Sequence, residues 1–202
     1  MHYCSASAIY SAYKGYIQEQ THLHNGRVHL FDIGCGPATC GLAFVNQMPS
    51  LISKMDYQGI DISVSMKELG STLLNMVCEG NLDMTFKESF NEFDDYYWNN
   101  ISNAPSLVII NMSYFFSNVN DEFTEKLANR IKDIMTKYTL NKYLFIIQNS
   151  EHDSKIKSFK SFRNCLIEHV NVLKKEFTAF TYQLNSSIKA LPFTYEIWEG
   201  KL

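Results

Sequence analysis

The chain has 202 residues, a net charge of −3, and 46% hydrophobic against 19% charged residues. That length suits one compact domain rather than two, and that composition excludes a disordered chain. The charge speaks against a strongly basic nucleic-acid binder, the longest apolar runs (107–112 and 143–147) are far too short to span a membrane, and the polar residues 1–20 lack the apolar stretch of a signal peptide.

In chain order, residues 5–19 read as a helix carrying small residues and tyrosines, followed by an Asn25-Gly26 turn. Residues 28–33 form a strand that runs into glycine, and 38–48 are helical by period. A second strand covers 55–62. The helix over 64–77 places its Leu and Met positions in the core, and 84–87 is a third strand. Residues 106–111 are almost entirely apolar, as in a strand covered on both faces of a parallel sheet. Residues 121–137 set Phe123, Leu127, Ile131, Ile134 and Met135 on one helix face. A fifth strand follows at 142–148, then an amphipathic helix over 156–175. Two strand-like runs, 176–184 and 192–199, close the chain with a loop between them. Pro37, Pro49, Pro105 and Pro192 each fall at a predicted boundary. The pattern predicts one α/β domain over 1–202. Its sheet has seven strands, mostly parallel, with helices on both faces and an antiparallel C-terminal hairpin.

The five cysteines include no Cys-x-x-Cys pair. They fit neither a zinc site nor a disulfide framework and read as reduced thiols in a cytoplasmic protein. His22, His24 and His29 are too unevenly spaced for a metal site.

The informative stretch is Leu30-Phe-Asp-Ile-Gly-Cys-Gly-Pro-Ala-Thr39. Gly34 and Gly36 follow the first strand and open a helix, where the backbone must turn sharply and come close to a ligand. A dinucleotide fingerprint wants glycine where Thr39 stands, and the Gly-Lys-Ser/Thr ending of a phosphate loop is missing. Asp32, two residues before the first glycine, suits a ligand bearing an ammonium and a sulfonium better than a pyrophosphate. Asp61 closes the second strand one βαβ unit later, where a carboxylate can accept both hydroxyls of a ribose.

On these residues the sequence resembles the class I S-adenosylmethionine-dependent methyltransferases, from about residue 28 to 198. Phe31-Asp-Ile-Gly-Cys-Gly-Pro-Ala38 looks like the first motif of that family, with Ala38 replacing the third glycine. Gly59-Ile-Asp-Ile-Ser63 looks like the second. Residues 86–90 fall where the adenine-contacting loop belongs, and 107–114 where the fourth strand reaches the methyl group. The resemblance implies S-adenosylmethionine as cofactor, no metal, and methyl transfer to a small molecule, RNA or protein. A non-catalytic S-adenosylmethionine-binding subunit or sensor is the alternative.

The resemblance also implies residue roles. Gly34, Cys35 and Gly36 would pass under the methionine part, and Asp32 would help hold its ammonium. Asp61 would bind the ribose, and Ile62 would pack on adenine. Glu88 or Ser89 would meet the adenine amino group. Asn111 would line the site through its carbonyl, with Met112 beside it. Asn111-Met-Ser-Tyr114 is faintly similar to the Asn-Pro-Pro-Tyr of amino-group methyltransferases but lacks both prolines. Residues 1–24 would form a helical lid from which Tyr13 or Tyr16 reaches the cofactor carboxylate. No catalytic base stands out. A basic run (Lys155, Lys157, Lys160, Arg163, Lys174, Lys175) could face RNA, although a solvated helix face is the commoner origin of such a run. With almost no insertion beyond the minimal fold, a large acceptor would need a partner protein to present it.

Overall fold

The structure is a computed structural model that describes residues 2–150, 157–184 and 187–201, with only the backbone described at 150 and 180–191. Five strands run parallel: β1 (Val28–Ile33), β2 (Met55–Ile60), β3 (Asp83–Lys87), β4 (Leu107–Ser113) and β5 (Lys142–Ser150). β7 (Ser187–Gly200) lies antiparallel beside β5 and carries β6 (Val170–Leu184) at the edge, in the order β3-β2-β1-β4-β5-β7-β6. This is the expected seven-stranded α/β sheet with its closing hairpin.

Alternation along the central strands feeds two cores. On one face, Leu30, Leu107 and Ile109 pack under α1 (His2–Leu23), α2 (Thr39–Gln47) and the buried side of α3 (Val64–Cys78). On the other face, Phe31, Val108, Ile110 and Met112 pack under α4 (Asp95–Ile101), α5 (Asp121–Lys137) and α6 (Lys157–Leu166). Phe31 stacks on Trp98 of α4 with ring centroids 5.0 Å apart. Among the described residues no helix is long and apolar enough to cross a membrane.

Two expectations are corrected and one helix is added. The helix expected over 156–175 ends at Leu166, and β6 begins at Val170 after a short 3₁₀ turn. Ile167 and Val170 continue the helical spacing, but Val170 and Val172 are β-branched and pair with Gly200 and Trp198. The loop expected before residue 192 is shorter, since β7 starts at Ser187. Helix α4, which the apolar spacing did not reveal, is held at its start by Asp94, whose side chain accepts from Tyr97 N at 3.0 Å.

Helix α3 is a further departure. Only Gly70, Leu74 and Cys78 are buried, while Met66, Leu69, Met76 and Val77 stand exposed. Most of its Leu and Met positions are therefore outside the core.

Candidate functional site

The carboxyl ends of β1, β2 and β4 open onto a cavity of about 490 Å³. The Gly34–Gly36 turn forms one side. Gly34 has φ +73°, and a Cβ there would meet the Phe115 ring at 3.0 Å. Glycine is required on both counts.

The amides of this turn are already engaged. Gly34 N and Cys35 N donate to Ile60 O at 2.8 and 3.1 Å, and Gly36 N donates to Asp61 Oδ2 at 2.9 Å. Residues 34 to 36 therefore offer no free amide to a pyrophosphate. Asp61 Oδ1 accepts from Ser63 N at 2.8 Å. Each Asp61 oxygen thus holds one backbone amide and keeps a lone pair for a hydroxyl. The carboxylate is fixed at the cavity wall by the two segments it joins.

Gly34, Cys35, Gly36, Asp61, Ile62, Glu88 and Ser89 all line the cavity. Ile62 is 86% exposed at its mouth. Glu88 stands free apart from Lys67 Nζ at 3.8 Å. Ser89 is partly committed: its hydroxyl caps the next turn by accepting from Asn91 N, while Glu92 reaches back to the amides of Glu88 and Ser89.

Asp32, Asn111 and Met112 lie behind the lining. Asp32 is 1% exposed. Its Oδ2 accepts from Tyr57 Oη at 2.8 Å and its Oδ1 from Asn111 Nδ2 at 2.7 Å. Burial raises its pKa to about 6, against the lowering effect of bonds from Tyr57, Asn111 and the Gly41 amide. Gly41 has no Cβ where the Tyr57 ring would meet one at 2.4 Å, so the ring can lie against α2 with its hydroxyl on Asp32. Asn111 sits within β4, paired in register with Asp32 and Ile146, and its Oδ1 accepts from Tyr10 Oη at 3.3 Å. Met112, next along the strand, turns to the opposite core. The likeness of 111–114 to Asn-Pro-Pro-Tyr therefore fails at Asn111, whose side chain is held in the sheet.

The tyrosines of α1 also fall differently. Tyr16 Oη bonds Glu199 of β7, and Tyr13 packs beside the same core, both outside the lining. His2 lines the cavity instead, its ring 4.2 Å from that of Tyr114. Tyr114 has φ +58°, a strained backbone for a bulky residue. Its amide donates to Gln148 O at 2.7 Å and its hydroxyl accepts from Gln148 Nε2 at 3.1 Å. Phe115, Val119, Phe123 and Leu127 complete an apolar wall. The sequence signal for this wall is the Phe115-Phe116 pair after β4 together with the α5 face, whose spacing alone reads as core.

Burial pushes the Cys40 thiol up to about 12 and the Cys35 thiol up as well, so both stay protonated at neutral pH. All five cysteines are free, and among the described residues no cluster of His, Cys, Asp and Glu could hold a metal. The basic run is largely paired. Lys157 meets Asp121 at 3.3 Å, and Arg163 and Lys175 meet the buried Glu196 at 3.4 and 3.1 Å. Lys155 lies outside the described residues.

No family model matches the sequence, and no curated protein matches it. Solved structures do. Magnesium protoporphyrin IX methyltransferase from Synechocystis PCC 6803, with bound SAH, is 12% identical and superposes with a TM-score of 0.54 over 99% of this chain and 83% of that one. Precorrin-6y C5,15-methyltransferase from Geobacter metallireducens is 13% identical, with a TM-score of 0.54 over 87% of this chain and 81% of that one. The chain has the class I methyltransferase fold. A Listeria monocytogenes protein assigned provisionally to the class I S-adenosylmethionine-dependent methyltransferases is 13% identical, with a TM-score of 0.54 over 96% of this chain and 58% of that one. Identities this low carry the fold and not the activity. Within the methyltransferase fold, the Gly34 turn and Asp61 occupy the ends of the first two strands, at the mouth where ligands of open α/β sheets bind.

Proposed function

We propose that the chain is a cytoplasmic S-adenosylmethionine-dependent methyltransferase acting on a small-molecule acceptor. The observation that carries this reading is Asp61, anchored by Gly36 N and Ser63 N with an acceptor left on each oxygen, beside a turn whose amides are closed to phosphate. When bound, S-adenosylmethionine supplies an already activated methyl group on a positively charged sulfur.

The chain's task is then to align the acceptor and exclude water. Asp61 takes the ribose hydroxyls, Ile62 offers an apolar face to adenine, and Glu88 meets its amino group. Gly34 and Gly36 leave room for the methionine part. Asp32 acts from behind, fixing Asn111 and the first turn of α2. The acceptor lies against Tyr114, Phe115, Val119 and Phe123. This wall carries no lysine or arginine, which supports an apolar small molecule over RNA. Partial desolvation beside Tyr114, with the nearby N-terminal charge, lowers the His2 pKa from its ordinary value, which favours the neutral imidazole able to take a proton. The first turn of α1 serves as the cover.

Calorimetric titration with S-adenosylmethionine and S-adenosylhomocysteine tests the cofactor. Binding of both is expected, weakened at least about tenfold by Asp61→Ala. Failure of either to bind at millimolar concentration refutes the reading. Methyl-labelled cofactor incubated with cell extract tests the acceptor. Label is expected in the small-molecule fraction. Label in RNA or protein overturns the acceptor class, and binding without transfer to any fraction makes the chain a binding subunit.

A further inference from the structure

Helix α3 carries two apolar rows. One, through Gly70, Leu74 and Cys78, faces the core. The other runs Met66, Leu69, Leu73 (half-buried) and Met76, at steps of three, four and three residues, with Val77 alongside and Ile62 just before the helix. Exposures are 86% at Ile62, 44% at Met66, 48% at Leu69, 70% at Met76 and 54% at Val77. A single helix leaving that much apolar side chain in water bears an interface.

The row is symmetric. Met66 and Met76 lie five residues either side of Ser71, and Leu69 and Leu73 lie two. We infer that this row is the contact between two copies of the chain, packed antiparallel about Ser71. A two-fold axis there sets Leu69 on Leu73 of the second copy and Met66 on its Met76, which is the self-complementarity an isologous interface requires. The bordering side chains agree. Thr72 meets Thr72 of the second copy, and Ser65 meets its Glu79, so no carboxylate opposes another. Lys67 is turned away toward Glu88, 3.8 Å distant. The row offers on the order of 500 Å² of apolar surface, the greater part of the ~800 Å² per partner that stable dimers bury. Ile62 lines the cavity and precedes α3 by two residues, so the second copy lies beside the cavity mouth.

Light scattering and sedimentation of the full chain, from about 1 to about 100 μM, read the association directly. A dimer is expected, weakened at least tenfold by Leu69→Glu, a half-exposed position whose replacement leaves the circular dichroism unchanged. Met66→Lys and Met76→Glu chains should each dimerise at least tenfold more weakly alone and form a mixed dimer when combined, because the proposed register opposes the new lysine to the new glutamate. A chain that stays monomeric throughout overturns the inference, whether or not the row takes up another protein or phospholipid vesicles. So does a wild-type dimer with no mixed pairing of the two variants.

Discussion

Replacing Asp32 by asparagine isolates the cost of a buried charge. Asp32 titrates at about 6 in the fold against an ordinary 3.8, so the native state holds its proton to higher pH than the unfolded chain does. Stability from this group is fully present below about pH 4 and is lost as pH rises through about 6. The difference of about 2 pH units, at about 1.4 kcal/mol each, amounts to about 3 kcal/mol, of which about 2 falls between about pH 4.5 and pH 7.5. The amide introduced by Asp32→Asn cannot ionise. Its exchanged hydrogen bonds with Tyr57 and Asn111 shift stability by a similar amount at every pH, whereas the ionisation cost disappears. Urea unfolding of both proteins across that window reads the effect. The stability of Asp32→Asn relative to wild type should rise by about 2 kcal/mol from the acid to the neutral end. Two parallel pH curves would refute the claim that Asp32 ionises inside the fold at this cost.

Tyr57→Phe removes a bond that lowers the Asp32 pKa, so the pH window of that loss should move upward, seen in the same unfolding series. Gly34→Ala forces a Cβ into the left-handed region and against Phe115, which should cost about 1–2 kcal/mol in thermal unfolding and abolish cofactor binding. Adding Phe115→Ala should recover part of that cost, so additivity of the two would disprove the contact. Asn120→Ala removes the acceptor for Phe123 N at the start of α5 and should lower stability by about 1 kcal/mol in urea unfolding, with the circular dichroism otherwise native.

The succession of strands and helices and the first two motifs were legible because they rest on local rules. Gly34 and Gly36 both take positive φ, and Asp61 directly follows β2 beside them. What failed depended on neighbours distant in sequence. Nothing local tells that Asn111 is claimed by Asp32 and Tyr10, 79 and 101 residues away. Nor does spacing tell that His2 and none of the α1 tyrosines lines the cavity, since Tyr16 is drawn off by Glu199 at the far end of the chain. Residues 170–175 lie in a stretch with a helical period and form a strand because β7 offers a partner. In α3 the apolar spacing was read correctly, but its destination was not: periodicity reports a face and not what covers it.

The hydrogen bonds from Tyr10 through Asn111 and Asp32 to Tyr57 fasten α1 across β4 and β1 to β2. Swinging the whole helix aside would break the bond from Tyr10 to Asn111 Oδ1, at a cost of about 0.5–1.5 kcal/mol before any apolar contact is lost. Unwinding the single turn at His2 disturbs none of these bonds, and helix ends unravel at little cost. Opening the His2 side of the cavity therefore calls for one turn to unwind and not for movement of the whole helix.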